Sequence, residues 1–280
     1  MTALLALLSA VVYGSGDFLG GLASRRAPAI LVTIGAEAIG LAGLAVAVAV
    51  LQAEEVTAAD LAWGGVAGLA GAMGLLLLYG ALGDGTMSVV APLTAVWSAV
   101  VPIVVGLVTG ERPSALALVG VALALPAIAL VGAGSEAAGH GQLTRRTLVR
   151  ALGSGTGFGL YFVLLAETHK DSGVWPLIPG RLTGMAMLVL VALVSGRLAA
   201  LPRPAWRLTA ACGVCDSTAN VLYILAVQRG LLSLVAVLTA LYPASTVLLA
   251  RVVLKERLGR RQLAGLAVAL AAVTLVAAGS

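Results

Sequence analysis

The sequence has little charge and little cysteine. Only 10% of its 280 residues are Asp, Glu, Lys or Arg, against roughly 25% in a soluble domain, so a soluble globular protein is excluded. The two cysteines, Cys212 and Cys215, form one CxxC in an apolar stretch without a second pair, and His140 and His169 lie in separate loops where we expect them to be solvated. No glycine-rich loop ending in Gly-Lys-Ser/Thr occurs, which argues against ATP hydrolysis. We therefore expect neither a metal site nor a cofactor.

Apolar residues make up most of the chain and occur in long runs. They account for 60% of the sequence and give a mean hydropathy of +1.07. A helix needs about 20 apolar residues to cross a bilayer, and residues 115–125 are apolar at every position, which is typical of a helix and not of the alternating strands of a membrane barrel. The sequence thus predicts an all-α integral membrane protein with about ten transmembrane helices. The predicted spans are 3–23, 30–51, 60–82, 88–109, 114–133, 148–167, 175–195, 207–228, 233–254 and 261–278.

The second half of the chain repeats the first. Residues 80–135 align with residues 225–280, an offset of 145 positions, with 23 identities in 56, among them Glu111 with Glu256. Each half holds five spans. Because five is odd, the second copy must enter the membrane inverted relative to the first, which is a common plan of solute carriers. We therefore expect two inverted five-helix repeats around a central cavity.

The longest polar connection lies between the two halves. It runs from Ser135 to Thr147 and interrupts the apolar pattern for longer than any other loop. The sequence therefore predicts a first five-helix repeat at 1–135, a linker loop at 136–147 and a second five-helix repeat at 148–280.

Basic residues are distributed unevenly among the loops. Counted from the loop after span one, odd-numbered loops hold twelve Lys and Arg residues and even-numbered loops hold three. Because Lys and Arg are retained on the cytoplasmic side, we expect the odd loops inside and both termini outside a multi-pass protein of the plasma membrane. Orientation in the lipid bilayer thus accounts for the net charge of +5, and we expect no nucleic acid as a partner. The basic residues are Arg25, Arg26, Arg145, Arg146, Arg150, Arg197, Arg203, Arg207, Lys255, Arg257, Arg260 and Arg261 at odd loops, and Arg112, Lys170 and Arg229 at even loops.

A few polar side chains lie inside the predicted spans, where an ionisable group costs about 2.5 to 3.5 kcal/mol at mid-depth. Asp216, Asn220 and Tyr223 follow an i, i+4, i+7 spacing and form one polar stripe on span eight. Tyr13 and Asp17 lie one turn apart on span one, so both can face the same side. Such groups indicate a site for substrate or protons. Interhelical hydrogen bonds with a purely structural role are the alternative.

Further candidates occupy corresponding places in the two halves. Glu37 on span two and Arg181 on span seven are possible polar or coupling groups, unless Arg181 reaches the membrane interface and Glu37 caps a helix. Trp97 and Tyr242 are repeat equivalents on spans four and nine, and Tyr161 lies on span six. Aromatic side chains in a cavity stack on flat or cationic substrates. For Trp97 and Tyr242 an interfacial belt is the alternative.

Prolines and glycines within the spans indicate where helices bend and where they pack closely. Pro92 and Pro102 lie in span four and Pro243 lies in span nine, its repeat equivalent. Proline removes an intrahelical hydrogen bond and kinks its helix, so these three positions are candidate hinges, with static kinks as the alternative. Glycine pairs four residues apart predict close helix packing. These pairs are Gly16 with Gly20, Gly64 with Gly68, and Gly153 with Gly157.

Three segments together resemble a known family. Residues 13–21 read YGSGDFLGG, which is similar to the aromatic-glycine signature that opens EamA-type carriers of the drug/metabolite transporter superfamily. Gly-Glu-Arg at 110–112 followed by Gly120, and Lys-Glu-Arg at 255–257 followed by Gly265, resemble the glutamate-and-glycine signature that recurs at the end of each half. The resemblance covers essentially the whole chain. It implies a ten-helix carrier with inverted repeats around a central cavity, moving small organic metabolites or drugs, often outward.

We therefore expect a secondary transporter, not an enzyme, that exports amino-acid-like compounds or drugs by alternating access. Protonation of Asp17 or Asp216 would couple it to a proton gradient. Two alternatives stay open, a channel and an intramembrane aspartyl protease, because residues 14–17 spell GxGD and Asp216 would supply the second carboxylate. Glu111 is expected to place its charge at the N-terminal end of the helix that follows it.

Overall fold

The chain folds as a bundle of helices. The computed structural model describes residues 1–24, 26–84, 87–132, 145–253 and 259–279, and every regular element in these ranges is helical. The predicted all-α fold is confirmed. The helices are α1 (Thr2–Ser24), α2 (Ala29–Val50), α3 (Ala58–Asp84), α4 (Met87–Val108), α5 (Ala115–Gly132), α6 (Arg145–Ala166), α7 (Leu177–Val194), α8 (Trp206–Val227), α9 (Leu232–Thr239), α10 (Tyr242–Val253) and α11 (Arg260–Gly279), with short 3₁₀ turns at Lys170–Ser172 and Arg203–Ala205.

These helices account for the ten predicted spans. Within the described ranges, α1, α2, α3, α6, α7 and α8 are each long and apolar enough to cross a membrane. Four shorter apolar stretches coincide with predicted spans four, five, nine and ten. The chain is therefore a multi-pass membrane protein. The shorter stretches are Thr94–Val108, Ala115–Leu130, Leu232–Thr246 and Leu263–Val276.

The ninth span consists of two helices where one kinked helix was predicted. α9 ends at Thr239 and α10 begins at Tyr242. Pro243 is the second residue of α10, a position where the missing N–H of proline leaves no intrahelical acceptor unpaired. By contrast, the repeat equivalent α4 continues from Met87 to Val108 through its two prolines. The side chain of the first of these, Pro92, is outside the described residues, and that of Pro102 is buried.

Helix contacts are symmetric under exchange of the two halves. α1 packs antiparallel to α8 as α3 packs antiparallel to α6, and α1 runs along α10 as α6 runs along α4. At residue level, Gly159 lies against Val101 and Gly14 lies against Thr246, two contacts that the offset of 145 residues converts into one another. Following these directions through the bundle, α1 and its repeat equivalent α6 run in opposite directions, as inverted repeats require.

Glycine allows helices of different halves to approach closely. A Cβ atom on Gly68 would lie 1.9 Å from the carbonyl oxygen of Gly180, and one on Gly64 would lie 1.9 Å from that of Pro176. The close packing predicted for this glycine pair is therefore confirmed. In the symmetric contact between α8 and α2, a Cβ atom on Gly213 would lie 2.5 Å from the carbonyl oxygen of Ala36. Larger side chains at these positions would force the two halves apart.

Glu111 caps a different helix from the one that was predicted. Its carboxylate accepts hydrogen bonds from the backbone N–H groups of Leu232 and Ser233, the first residues of α9, the second at 3.0 Å. The expectation that it would serve α5, the helix that follows it, was wrong. A carboxylate at a helix N-terminus satisfies free N–H groups and the positive end of the helix dipole. The repeat counterpart Glu256 lies outside the described residues.

A second carboxylate joins the halves at the same end of the bundle. Asp60, at the start of α3, is fully buried and accepts a hydrogen bond from the backbone N–H of His169 at 2.8 Å. The His169 ring is 69% exposed, but its Nδ1 lies 3.1 Å from the same carboxylate, so the residue is not simply solvated as expected. We call this end of the bundle the even-loop face and the opposite end the odd-loop face. The even-loop face carries residues 51–57, 109–114, 167–176 and 228–231.

Candidate functional site

A chain of polar contacts connects five helices from both repeats. Its centre is Asn220 on α8, which is buried and donates from Nδ2 to the backbone oxygen of Asp216 at 2.7 Å and to its Oδ2 at 3.2 Å. The i, i+4 spacing brings both side chains to one face of α8, as the sequence predicts. We call the connected side chains the polar network. Its members are Tyr13, Glu37, Tyr161, Arg181, Asp216 and Asn220.

Arg181 on α7 is the cation of the polar network. It is buried, its Nη1 lies 2.7 Å from Oε2 of Glu37, and its Nη2 donates to Oδ2 of Asp216. A guanidinium inside a membrane bundle is costly unless acidic groups compensate it, and two carboxylates do so here. The side chain is therefore directed inward and does not reach the membrane interface.

The pair of Glu37 and Arg181 joins equivalent positions of the two halves. The symmetric glycine contacts described above equate Ala36 with Gly180, so the residues that follow them are also equivalent. A contact between two equivalent residues of a two-fold repeat must lie on the axis that relates the halves. The ion pair thus marks the pseudo-two-fold axis, and transporters with inverted repeats bind their substrates at the interface of the repeats.

Two tyrosines from different halves converge on the amide of Asn220. The hydroxyl of Tyr13 on α1 donates to Oδ1 at 2.7 Å, and the hydroxyl of Tyr161 on α6 donates to the same oxygen. With its oxygen on two hydroxyl donors and its NH₂ group on Asp216, the amide has one orientation. Tyr161, predicted only as an aromatic lining residue, is therefore part of the hydrogen-bonded core.

Tyr223, the third residue of the predicted stripe, lies on the even-loop side of the network. It is fully buried, its hydroxyl donates to the backbone oxygen of Phe162 at 3.0 Å, and the two ring centroids are 4.5 Å apart. Ile224 and Leu165 are buried in the same apolar cluster. The stripe thus faces inward as predicted, but Tyr223 packs in an apolar layer between the polar network and the even-loop face.

Asp17 lies beside the polar network without a fixed partner. Its side chain is exposed, and no hydrogen bond or ion pair connects it to another residue of the described ranges. It lies one turn from Tyr13 on α1, within electrostatic range of Asp216 and of Tyr242 on α10. Among the side chains that the structure describes here, the three acidic groups of Asp17, Asp216 and Glu37 therefore lie with one basic group, that of Arg181. A cationic ligand or bound protons would reduce this excess of negative charge.

The two repeat-related aromatic candidates lie in different surroundings. Tyr242, the first residue of α10, is half-buried, and its backbone oxygen lies against Gly14 of α1, the residue after Tyr13 of the polar network. Trp97 is 37% exposed and donates from Nε1 to Oγ1 of Thr156 at 2.9 Å, which holds it at the contact of α4 with α6. The structure therefore places Tyr242 beside the polar network and Trp97 at a helix contact.

A surface cavity of about 580 Å³ lies elsewhere, on the even-loop face. Its charged lining residues belong to loops and helix ends, and none of its lining residues belongs to the polar network. We regard it as a depression between loops, because buried and convergent polar groups indicate a binding site better than solvated charges do. The charged and amide side chains in its lining are Gln52, Glu54, Lys170, Asp171 and Arg229.

The sequence named most residues of the network but not their connections. Glu37 and Arg181 were treated as separate candidates, although opposite charges at equivalent positions of an inverted repeat are a signal for an ion pair on the axis. The buried carboxylate of Asp60 was not predicted, because an acidic residue in the first turn of a membrane helix is usually solvated.

Comparisons with known proteins match the second half of the chain to a family. Residues 146–278, the half that carries Arg181, Asp216 and Asn220, match the family model of the EamA-like transporter family. No curated protein matches the chain. A solved structure named only "Crystal structure of protein" is similar to it with a TM-score of 0.81 and 17% identity, over 99% of this chain and 98% of that chain, which shows the fold alone. The match covers the second half of the chain and supports an EamA-type member of the drug/metabolite transporter superfamily, whose proteins are membrane transporters.

Proposed function

We propose that the chain is a secondary transporter that exports small organic compounds with a cationic amine, such as amino-acid-like metabolites or drugs, across the plasma membrane. The polar network on the axis between the repeats supports this proposal. Inverted repeats can close alternately on either side of a site that lies at their interface. When the repeats rock against each other, a site built from side chains of both repeats becomes open to one side of the membrane and closed to the other.

The charge of the site supports a cationic substrate group. Arg181 neutralises Glu37 or Asp216 but not both, and Asp17 is unpaired among the described residues. An ammonium group bound between Asp17 and Asp216 would compensate the remaining charge. The ring of Tyr242, within electrostatic range of Asp17, would add a cation–π contact worth about 0.5 to 2 kcal/mol.

The same carboxylates offer a way to couple export to a proton gradient. A carboxyl group in an interior space is neutral when protonated and charged when it binds a cation. If the ammonium group of the substrate and a proton compete for Asp17 and Asp216, the empty site returns protonated and the inward movement of protons drives the outward movement of substrate. The proposed coupling ion is therefore the proton.

The structure supports a carrier over the two alternatives. An aspartyl protease needs two carboxyl groups that share a proton, whereas Asp216 is paired with Arg181. An open channel needs a continuous polar path, whereas the apolar layer around Tyr223 separates the network from the even-loop face.

A ligand screen tests the proposed substrate class. We expect compounds with a cationic amine to raise the melting temperature of the detergent-purified protein, because a ligand that binds the folded state stabilises it. Asp17→Asn should abolish this shift, since it removes the unpaired carboxylate. Glu55→Gln, which removes an exposed carboxylate from the even-loop face, is the matched control and should respond like the parent. If neutral sugars or nucleosides alone stabilise the protein, and Asp17→Asn responds like the parent, the proposed substrate class is wrong.

A further inference from the structure

The polar network is more exposed on its odd-loop side than on its even-loop side. On the odd-loop side of Asn220, Asp17 is exposed and Asp216 is 34% exposed. Towards the even-loop face, Tyr223, Ile224 and Leu238 are completely or almost completely buried. The structure is therefore a state closed at the even-loop face, and contacts that join the two repeats there must break before that face opens.

The N-terminus of α9 is one of these contacts. Leu231, the residue before α9, offers no side-chain cap. The cap comes from Glu111, more than a hundred residues earlier in the chain, through the N–H groups of Leu232 and Ser233. Hydrogen bonds to a carboxylate are roughly twice as strong as neutral ones, and the helix dipole adds to them. A residue of the first repeat thus holds the start of a helix in the second.

The backbone around Glu111 is shaped to deliver this carboxylate. Gly110 has a φ of 100°, a left-handed conformation that glycine adopts without strain and that reverses the chain after α4. The N–H of Glu111 then donates to the backbone oxygen of Gly106 at 2.9 Å. A Cβ atom on Gly106 would lie 2.3 Å from the carboxylate, so the missing side chain makes room for it.

α9 is well suited to act as a movable element. It has eight residues, it is separated from α10 by the break before Tyr242, and all eight are buried. Its apolar residues, among them Val235 and Leu238, belong to the cluster that contains Tyr223. A displacement of α9 would therefore open the apolar layer between the polar network and the even-loop face. The contact with Glu111 opposes that displacement.

We propose that Glu111 is a positioning residue of the transport cycle, whose contact with the N-terminus of α9 keeps the even-loop face closed until α9 moves. The proposal rests on the proposed function as an alternating-access carrier. The bond from the N–H of His169 to Asp60 is a second link between the repeats at this face. Glu111 differs from it in acting on a helix of the apolar layer itself.

Thiol labelling of the purified protein tests the proposal without a substrate. The two native cysteines, Cys212 and Cys215, are half-buried and lie on the odd-loop side of the polar network, and a third reporter is Val235→Cys, at an almost fully buried position of α9. The rate of reaction with a water-soluble maleimide is followed at each cysteine by mass spectrometry. Glu111→Gln removes the charge of the cap, and Glu55→Gln is the control.

The proposal predicts changes of opposite sign at the two sides of the network. In Glu111→Gln the reaction at position 235 should become faster and that at Cys212 slower, and the ratio of the two rates should rise on the order of tenfold, because a lost charge-assisted bond shifts the equilibrium between the two states by about that factor. Glu55→Gln should change neither rate. Gly106→Ala, which keeps the carboxylate but crowds it, should act in the same direction as Glu111→Gln and decides the question if that variant does not fold.

Two results would overturn the proposal. If both rates rise in Glu111→Gln and in Gly106→Ala, the contact stabilises the whole fold and does not select one state. If neither rate changes, α9 is held by packing alone. If Glu111→Gln reacts faster at position 235 and slower at Cys212, as predicted, but the parent transports nothing, the proposed function is contradicted and the role of Glu111 is not.

Discussion

Arg181 balances two carboxylates with one guanidinium, and this ratio determines what a substitution in the polar network does. Removing one partner of a buried ion pair leaves an uncompensated charge, which costs far more than the net stabilisation of the intact pair. Either carboxylate can be lost while Arg181 keeps one partner, but the loss of Arg181 leaves both Glu37 and Asp216 without their cation. The network is therefore most sensitive at its single cation.

Arg181→Met is expected to lower the free energy of unfolding by about 3 to 5 kcal/mol, since it leaves two acidic side chains without their cation. Thermal unfolding in detergent measures the effect as a lower melting temperature. Arg207→Met, at an exposed arginine near the start of α8, removes the same charge without a buried partner and should melt like the parent. Equal melting temperatures for the two variants would mean that Arg181 stabilises nothing.

Part of the site could be predicted from single residues, because polar side chains are rare inside the spans and some of them follow helical spacing. Asp216 and Asn220 were identifiable because a polar group inside an apolar run is costly and must find a partner. The shared acceptor of Tyr13 and Tyr161 was not, because two hydroxyl groups from different halves meet only after the halves pack. The roles of these residues, and of Trp97, in binding stay predictions.

At the scale of helices, the spans follow from the bilayer and their ends follow from packing. A run of about 20 apolar residues has few alternatives to a membrane helix, so the predicted spans and the helices agree. The interruption before Pro243 was not predictable, because whether a proline kinks or breaks a helix depends on which neighbours satisfy the freed backbone groups. The hinge roles of Pro92, Pro102 and Pro243 likewise stay predictions.

Gly68→Ala is expected to destabilise the protein by about 1 to 3 kcal/mol, the usual cost of overpacking, because the new Cβ atom would collide with the backbone of Gly180. Gly21→Ala on α1 is the control, since its Cβ atom would meet nothing within 4 Å. That variant should be unchanged or slightly more stable, because alanine favours a helix by about 1 kcal/mol over glycine. Thermal unfolding of both variants provides the comparison. If the two melt alike, close glycine packing between α3 and α7 does not hold the halves together.

At the scale of the whole molecule, the duplication predicted the architecture before any helix was placed. An odd number of spans per half leaves only an inverted arrangement, and the opposite directions of α1 and α6 agree with it. The predicted boundaries of the repeats and their linker stay predictions, because residues 133–144 lie outside the described ranges. Which face is closed could not be predicted, since two packings of one bundle differ by only a few kcal/mol.

The orientation in the membrane is the prediction that the basic loops make for the molecule as a whole. With both native cysteines replaced by serine, Glu55→Cys on the even-loop face should react with a membrane-impermeant maleimide in intact cells, because that face is expected outside. Arg197→Cys on the odd-loop face should react only after the cells are broken. The reverse pattern would show that the termini lie inside.

Uptake of an amine substrate, identified by the ligand screen, into proteoliposomes under an imposed pH gradient tests the central claim most directly. The account predicts that the gradient accelerates transport by the parent and by Glu55→Gln, and that Asp17→Asn and Asp216→Asn no longer respond to it. Asp17→Asn is the clearer variant, since Asp216 also pairs with Arg181. Transport that depends on the gradient equally in the parent and in both aspartate variants would contradict the account.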